Sequence, residues 1–247
     1  MADLIIEVHS LVKHYGATPA LAGFDLRVPR GSLHGLVGPN GAGKTTTIHI
    51  LCGLTRPNGG AARVAGFDLG ETMRIRQAIG VTLENHPLYE NLTAREYLCF
   101  VGEMKGLGTG AARQEAEQLL ATVQLEAHER ALIGSFSKGM KQKVAIASAF
   151  VGGPAGPPAL AILDEPFVGI DPLGVRAVKD FMAGYVAQGG TVLFSSHVLD
   201  LVERLCDSVT IIKAGRAVAA GSVADLTVGG RTLEDVFLAA MAGESRP

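Results

Sequence analysis

Apolar residues fall along this chain in short blocks punctuated by glycine, proline and charged turns, and the period inside each block separates strands from helices. Leu4–Val8, Phe24–Val28 and Leu33–Val37 are compact apolar runs bounded by turn residues, which predicts three strands and an antiparallel-leaning N-terminal portion. Thr46–Cys52 follows as a helix. Near Leu92 the pattern changes. Thr93 and Glu96 form a capping box, Leu92 and Tyr97 suit a hydrophobic staple, and a helix is expected from Ala94. Gly106–Gly110 breaks it, and Ala111–Leu125 reads as a second amphipathic helix, so residues 88–150 form a helical insertion. Beyond it, strand-like Leu160–Leu163 and Thr191–Phe194 flank helix-like Leu173–Val186, the alternation of a parallel sheet. Val209–Ile212, a turn at Ala214 and Gly215, and Ala217–Ala220 predict a closing hairpin.

Between Val144 and Leu163 no residue is charged, a length that could cross a bilayer. Gly152, Gly153, Pro154, Gly156, Pro157 and Pro158 exclude a span, because they would leave backbone groups unpaired in lipid. The segment reads as helix, Gly/Pro loop and buried strand. Met1-Ala-Asp-Leu4 lacks the basic and apolar regions of a signal peptide, so any membrane role is expected to run through a partner.

The phosphate chemistry is concentrated in Gly38-Pro39-Asn40-Gly41-Ala42-Gly43-Lys44-Thr45, which fills the template G-x-x-x-x-G-K-[ST] between a strand and a helix. Glycines let backbone N–H groups close around a polyphosphate. Lys44 is expected to reach the β- and γ-phosphates and Thr45 to ligate Mg²⁺. Thr46 could add a phosphate contact, and a helix beginning at Thr45 would turn its positive end toward the anion. Farther on, the apolar strand Leu160–Leu163 runs into Asp164-Glu165. There Asp164 can hold a metal through its water shell and Glu165 can polarise an attacking water.

Composition narrows the field. With 247 residues, 47% of them hydrophobic and 19% charged, the chain can bury a sizeable core as one domain. A net charge of −2 gives no footprint for nucleic acid. Lys138, Lys141 and Lys143 read as a solvated helix face, and Cys52, Cys99 and Cys206 are too few and too scattered for a disulfide framework or a paired-cysteine metal site.

In its motifs and their order the chain resembles the nucleotide-binding subunits of ABC transporters, within them the branch serving bacterial exporters with separate membrane subunits. The resemblance rests on the phosphate loop, on Asp164-Glu165, and above all on Phe136-Ser137-Lys138-Gly139-Met140, which is similar to the family signature Leu-Ser-Gly-Gly-Gln. It implies an α/β fold: a P-loop NTPase (RecA-like) core with an N-terminal antiparallel β subdomain and an inserted α-helical subdomain. Residues 1–87 would hold the β portion and phosphate loop, 88–150 the helical subdomain with the signature, 151–220 the rest of the core and 221–247 a C-terminal tail. Thr232–Phe237 is similar to the ending of exporter-type members and is expected to pack back on the domain.

The resemblance also implies roles. Tyr15 would stack on adenine, and Ser137, Lys138, Gly139 and Met140 would meet the γ-phosphate of ATP held by a second subunit. Asp171 in Gly169-Ile170-Asp171 would belong to the D-loop, and His197 would sense the γ-phosphate. Glu84 stands where the family carries a glutamine that ligates Mg²⁺; it keeps an oxygen, loses an amide donor and adds a charge. The implied activity is hydrolysis of ATP with Mg²⁺ by Glu165, His197 and Lys44. It would occur in a pair of such subunits, identical or not, docked under a multi-span membrane protein at the cytoplasmic face. Two other readings share these motifs: a soluble ABC-type ATPase, such as one serving iron-sulfur assembly, and a weakly hydrolysing regulatory module.

Overall fold

The computed structural model describes residues 3–243. The first two residues of the Met1–Leu4 stretch and the last four of the 221–247 tail lie outside them. The chain opens with two long strands, β1 (Leu4–Tyr15) and β2 (Thr18–Pro29), each reaching well past the apolar run that predicts it. The extension is amphipathic: beyond Leu11 the inner positions thin out, and a register shift between Val8 and Leu11, with Ser10 at φ 48°, bends the ladder. Central β3 (Leu33–Val37) is buried at every position and leads into α1 (Lys44–Leu51), which starts one residue before the expected Thr45 and two before Thr46. The stretch after α1 holds four elements with no counterpart in the sequence reading: β4 (Gly59–Val64), β5 (Phe67–Asp68), α2 (Thr72–Ala78) and β6 (Ile79–Thr82).

Next come α3 (Ala94–Met104) and α4 (Thr109–Thr122), then α5 (Lys138–Phe150). The Thr93–Glu96 box is formed in both directions: the Glu96 N–H donates to Thr93 Oγ1 at 3.2 Å and the Thr93 N–H to Glu96 Oε2 at 2.8 Å. α4 begins at Thr109, so the break is shorter than Gly106–Gly110 and Gly110 lies inside the helix. The lysines of α5 are not one solvated face. Lys138 is exposed, Lys141 bonds Glu90 at 2.5 Å, and Lys143 is buried.

The remaining elements are β7 (Leu160–Leu163), α6 (Pro172–Ala187), β8 (Thr191–Ser196), α7 (Leu199–Leu205), β9 (Ser208–Lys213), β10 (Arg216–Ser222), α8 (Val223–Leu226) and α9 (Leu233–Ala242). The β9–β10 turn has Ala214 at φ 46° and Gly215 at φ 73°, the two positive values that a tight hairpin requires. α9 covers the run that was expected to fold back. Leu233 is fully buried, and its N–H donates to Glu203 Oε2 at 2.7 Å.

Two sheets result. β2-β1-β4-β5 is antiparallel, and β10-β9-β3-β8-β7-β6 is parallel apart from its β10 edge. Alternate residues of the parallel strands enter two cores. Leu36, Ile162 and Leu193 pack with α1 and the antiparallel sheet, while Val37, Leu163 and Phe194 pack with α3 to α6 and α9. Burial on both faces explains why these strands read as unbroken apolar runs.

Two positions make this packing testable. At Gly80 on β6 an added Cβ would lie 1.5 Å from the Ala149 carbonyl oxygen of α5, and two residues on Thr82 Oγ1 donates to the Ala145 carbonyl at 2.7 Å. Gly80→Ala is therefore expected to cost at least about 3 kcal/mol and to lower the melting temperature by roughly 6 °C or more, read by calorimetry. His34, second residue of β3, sits between Ser208 Oγ (2.7 Å from Nδ1) and Thr210 Oγ1 (3.0 Å from Nε2). Burial pushes its pKa down to about 3, and His86 is pushed the same way. Below the ordinary value of 6.5 the unfolded chain binds a proton at His34 that the native chain refuses, so stability falls as the pH falls through that range. Between pH 7 and 5 this removes about 2 kcal/mol. Denaturant titrations at the two pH values should show that loss reduced by the same amount in His34→Gln.

Candidate active site

Four parallel strands, β3, β8, β7 and β6, end side by side, and just past their C-terminal ends stand the phosphate loop, His197, Asp164-Glu165 and Glu84, the residues anticipated to carry the chemistry. A crevice at the carboxyl ends of parallel strands is where open α/β sheets bind ligands. Here it is a pocket of about 430 Å³ lined by Ala20, Asn40–Thr46, Glu84, Glu165, Val168 and His197.

The loop is shaped by close approach. Gly43 caps α1 at φ 113°, and a Cβ there would stand 2.7 Å from the Ala20 carbonyl oxygen. Any side chain would have to displace the antiparallel sheet. The first turn of α1 has no acid, so its unpaired N–H groups face the pocket uncompensated, ready for an anion. Lys44 is buried; its Nζ donates to the Gly38 carbonyl at 2.8 Å and lies 3.8 Å from Glu165 Oε1.

Glu165 is held from three sides. Its backbone adopts φ 49°, unusual for a side chain of this size, and its N–H donates to Ser195 Oγ at 2.9 Å. His197 Nδ1 lies 3.0 Å from Oε2, so Lys44 and His197 share the carboxylate between them. The same Ser195 hydroxyl donates to Asp164 Oδ1. Ser195, at the end of β8, thus aligns both acids. No local sequence motif singles out Ser195. Its signal is its place at the C-terminal end of a buried strand.

Asp164 is fully buried, and its Oδ2 has no hydrogen-bond partner among the described residues. An anionic oxygen left bare inside a protein is costly unless a cation completes it. Thr45 and Glu84 line the pocket and Asp164 does not; the three are all oxygen donors, the kind of set that suits Mg²⁺, although among the described residues no group of three or more His, Cys, Asp or Glu side chains is placed to hold a metal by itself. Nearby Cys52 has its pKa raised to about 12, first by burial and then by the charge of Asp164, so thiolate chemistry plays no part here.

The residues anticipated for adenine stacking, for the signature and for the D-loop lie apart from this pocket. Tyr15 is exposed at the β1–β2 tip, with Lys13 Nζ 5.1 Å from its ring centroid. Ser137 caps α5 by accepting the Met140 N–H at 3.2 Å, and Asp171 caps α6 by accepting the Gly174 N–H at 2.9 Å. Neither they nor Lys138, Gly139 and Met140 line the pocket. The signature and D-loop do touch each other: a Cβ on Gly139 would come within 2.6 Å of the Gly169 carbonyl oxygen. Among the described residues no helix is long and apolar enough to cross a membrane.

A family model described as ABC transporter matches residues 21–168. The daunorubicin resistance ATP-binding protein DrrA3 of Streptomyces coeruleorubidus is 37% identical over 227 residues, 92% of this chain and 71% of that protein. The linearmycin resistance ATP-binding protein LnrL of Bacillus subtilis is 37% identical over 93% of this chain and 73% of its own length. The bacitracin transport ATP-binding protein BcrA of Enterococcus faecalis is 33% identical over 91% and 71%. Among solved structures, an ATP binding subunit of an ABC transporter superposes with a TM-score of 0.86 at 35% identity, covering 96% of this chain and 99% of that one. A dimeric ATP-binding cassette bound to ADP and Pi shares the fold, with a TM-score of 0.81 at 21% identity over 88% of this chain and 98% of that one. With the family model spanning more than half of the 247 residues, the chain belongs to the ABC transporter family, as one of its ATP-hydrolysing ATP-binding subunits.

Proposed function

We propose that this chain energises a membrane exporter, working as one of two nucleotide-binding subunits, identical to each other, at the cytoplasmic face beneath a separate multi-span membrane subunit. One observation carries the reading: residues of the phosphate loop, Glu84, Glu165 and His197 meet in one pocket, while Ser137–Met140 lie outside it, with Ser137 and Lys138 exposed. A single chain holds two halves of a site that do not face each other. The names of the relatives, resistance to daunorubicin and to linearmycin and transport of bacitracin, support outward movement of cargo.

In this reading Gly38–Thr46 wraps the triphosphate of ATP and Tyr15 stacks on adenine. Thr45, Glu84 and Asp164 would hold Mg²⁺, which would screen the phosphate oxygens. The partner's copies of Ser137, Lys138, Gly139 and Met140 close over the γ-phosphate, with Asp171 at the seam between subunits. Lys44 and His197, which share Glu165 in the structure, pass to the phosphates when these arrive and release the carboxylate. Glu165 then accepts a proton from the attacking water as its oxygen bonds to the γ-phosphorus. The bond from that phosphorus to the bridging oxygen breaks, leaving ADP and phosphate. Charge repulsion between the products parts the subunits, and the helices after residue 88 carry the motion to the membrane subunit.

Glu165→Gln should bind Mg-ATP yet hydrolyse it at least about 100-fold more slowly, and should accumulate as a dimer. Tagged and used with Mg-ATP on detergent-solubilised native membranes, it should recover a protein with several membrane spans; recovery of soluble partners alone would overturn the exporter reading. The shared site has its own test. Lys44→Ala and Ser137→Ala chains, each inactive alone, should regain turnover on mixing, because a mixed dimer contains one intact loop opposite one intact signature.

A further inference from the structure

The two ends of α5 are supported differently. Its later turns are buried against β6, whereas Ser137 and Lys138 at its start are exposed. What lies under that start is the loop that follows the acids, from Pro166 to Asp171, together with the first turn of α6. Residues 138, 139, 142 and 143 of α5 reach it, the spacing of a single helix face. The Lys138 stem would be 3.4 Å from a Cβ on Gly169, and a Cβ on Gly139 would be 2.6 Å from the Gly169 carbonyl oxygen. Gln142 Nε2 donates to the Pro166 carbonyl at 3.2 Å. Lys143 is only 7% exposed, and its Cε stands 2.5 Å from where a Cβ on Gly174 would be, so its stem crosses α6 at a residue that has no side chain.

The loop is itself held to the core. It begins directly after Glu165, whose N–H is bonded to Ser195, and the Phe167 ring meets Phe194 of β8 edge-on at 5.7 Å. At its far end Asp171 caps α6. A bed fixed at both ends thus carries the exposed start of α5. Neither Gln142 nor Lys143 lines the phosphate pocket. We infer that Gln142 and Lys143 are positioning residues that set the signature this chain offers to its partner subunit, and that they take no part in the chain's own phosphate site. The inference rests on the proposed sharing of sites between two subunits and names the residues that hold one half in place.

A group meant for a phosphate held by another subunit has to be placed in advance, because a misplacement of about 1 Å can cost as much as 100-fold in rate. Gln142→Met keeps the length of the side chain and removes the donor to Pro166. Lys143→Ala removes the stem and opens space against Gly174. Each is expected to lower ATP turnover about 10-fold. Lys143→Met keeps the stem and drops only the charge, and should retain most of the turnover, since it is the stem that touches α6.

Mixing experiments on the full chain tell a lost signature from general damage. Gln142→Met and Lys143→Ala are each combined with Lys44→Ala and, separately, with Ser137→Ala, and Mg-ATP turnover is measured. With Lys44→Ala, the variant supplies its own phosphate loop and borrows an intact signature, so turnover should match that of Lys44→Ala mixed with Ser137→Ala. With Ser137→Ala, the variant has to supply the signature, and turnover should stay about 10-fold lower. Recovery in both mixtures would mean that the two side chains do not place the signature, and recovery in neither would mean that the whole chain or its own pocket is damaged; either result overturns the inference. If Lys44→Ala and Ser137→Ala fail to restore each other, the shared-site reading falls, and the inference with it.

Discussion

The parallel register of β3, β8, β7 and β6 is the constraint on which everything else rests. Val37 pairs with Ser196, Leu163 with Phe194 and Thr82 with Leu163, so the four strands stop nearly level. Each chemical residue is then only a step or two beyond its strand, and distances between groups far apart in sequence are set by the 4.7–4.9 Å spacing of a sheet rather than by loops. Ser195 shows the economy of this. Standing at the end of the strand between the loop strand and the acid strand, one hydroxyl can donate to Asp164 while accepting from the Glu165 backbone.

Such a site is expensive to keep empty. A fully buried aspartate with a bare oxygen, a lysine and a glutamate each less than a tenth exposed, and a glutamate in the left-handed region all oppose stability. The cost is carried by apolar layers on both faces of the parallel sheet, where strands such as Leu160–Leu163 expose nothing. The site occupies the rim of a largely apolar core, and the polar side chains inside that core, such as His34, Thr47, Thr82 and Ser148, are hydrogen-bonded to neighbouring hydroxyls or carbonyls.

Much of this was readable beforehand, and what was not has physical causes. The phosphate loop, the Asp164-Glu165 pair, the α3 capping box and the β9–β10 turn each depend on residue types at short spacing, which sequence displays directly. β4 and β6 escaped notice because Gly59-Gly60-Ala61-Ala62 and Ile79–Thr82 are short and glycine-bearing; their strand character comes from pairing with β1 and β7, partners distant in the chain. Lys143 looked like a solvated lysine for the same reason: only the approach of α6 and Gly174 to α5 buries it. The role of Ser195 was invisible because two hydrogen bonds to residues thirty positions away leave no local pattern.

The contact between β6 and α5 has a mechanical consequence. With Gly80 under the Ala149 carbonyl and Thr82 bonded to Ala145, strand and helix have no room to slide. Because Gly80 faces Ala149 and Thr82 faces Ala145, strand and helix run antiparallel, and both the loop that carries Glu84 and the start of α5 at Ser137 leave the contact on the same side. A load applied along this part of β6 is therefore handed to α5 whole instead of being taken up between them.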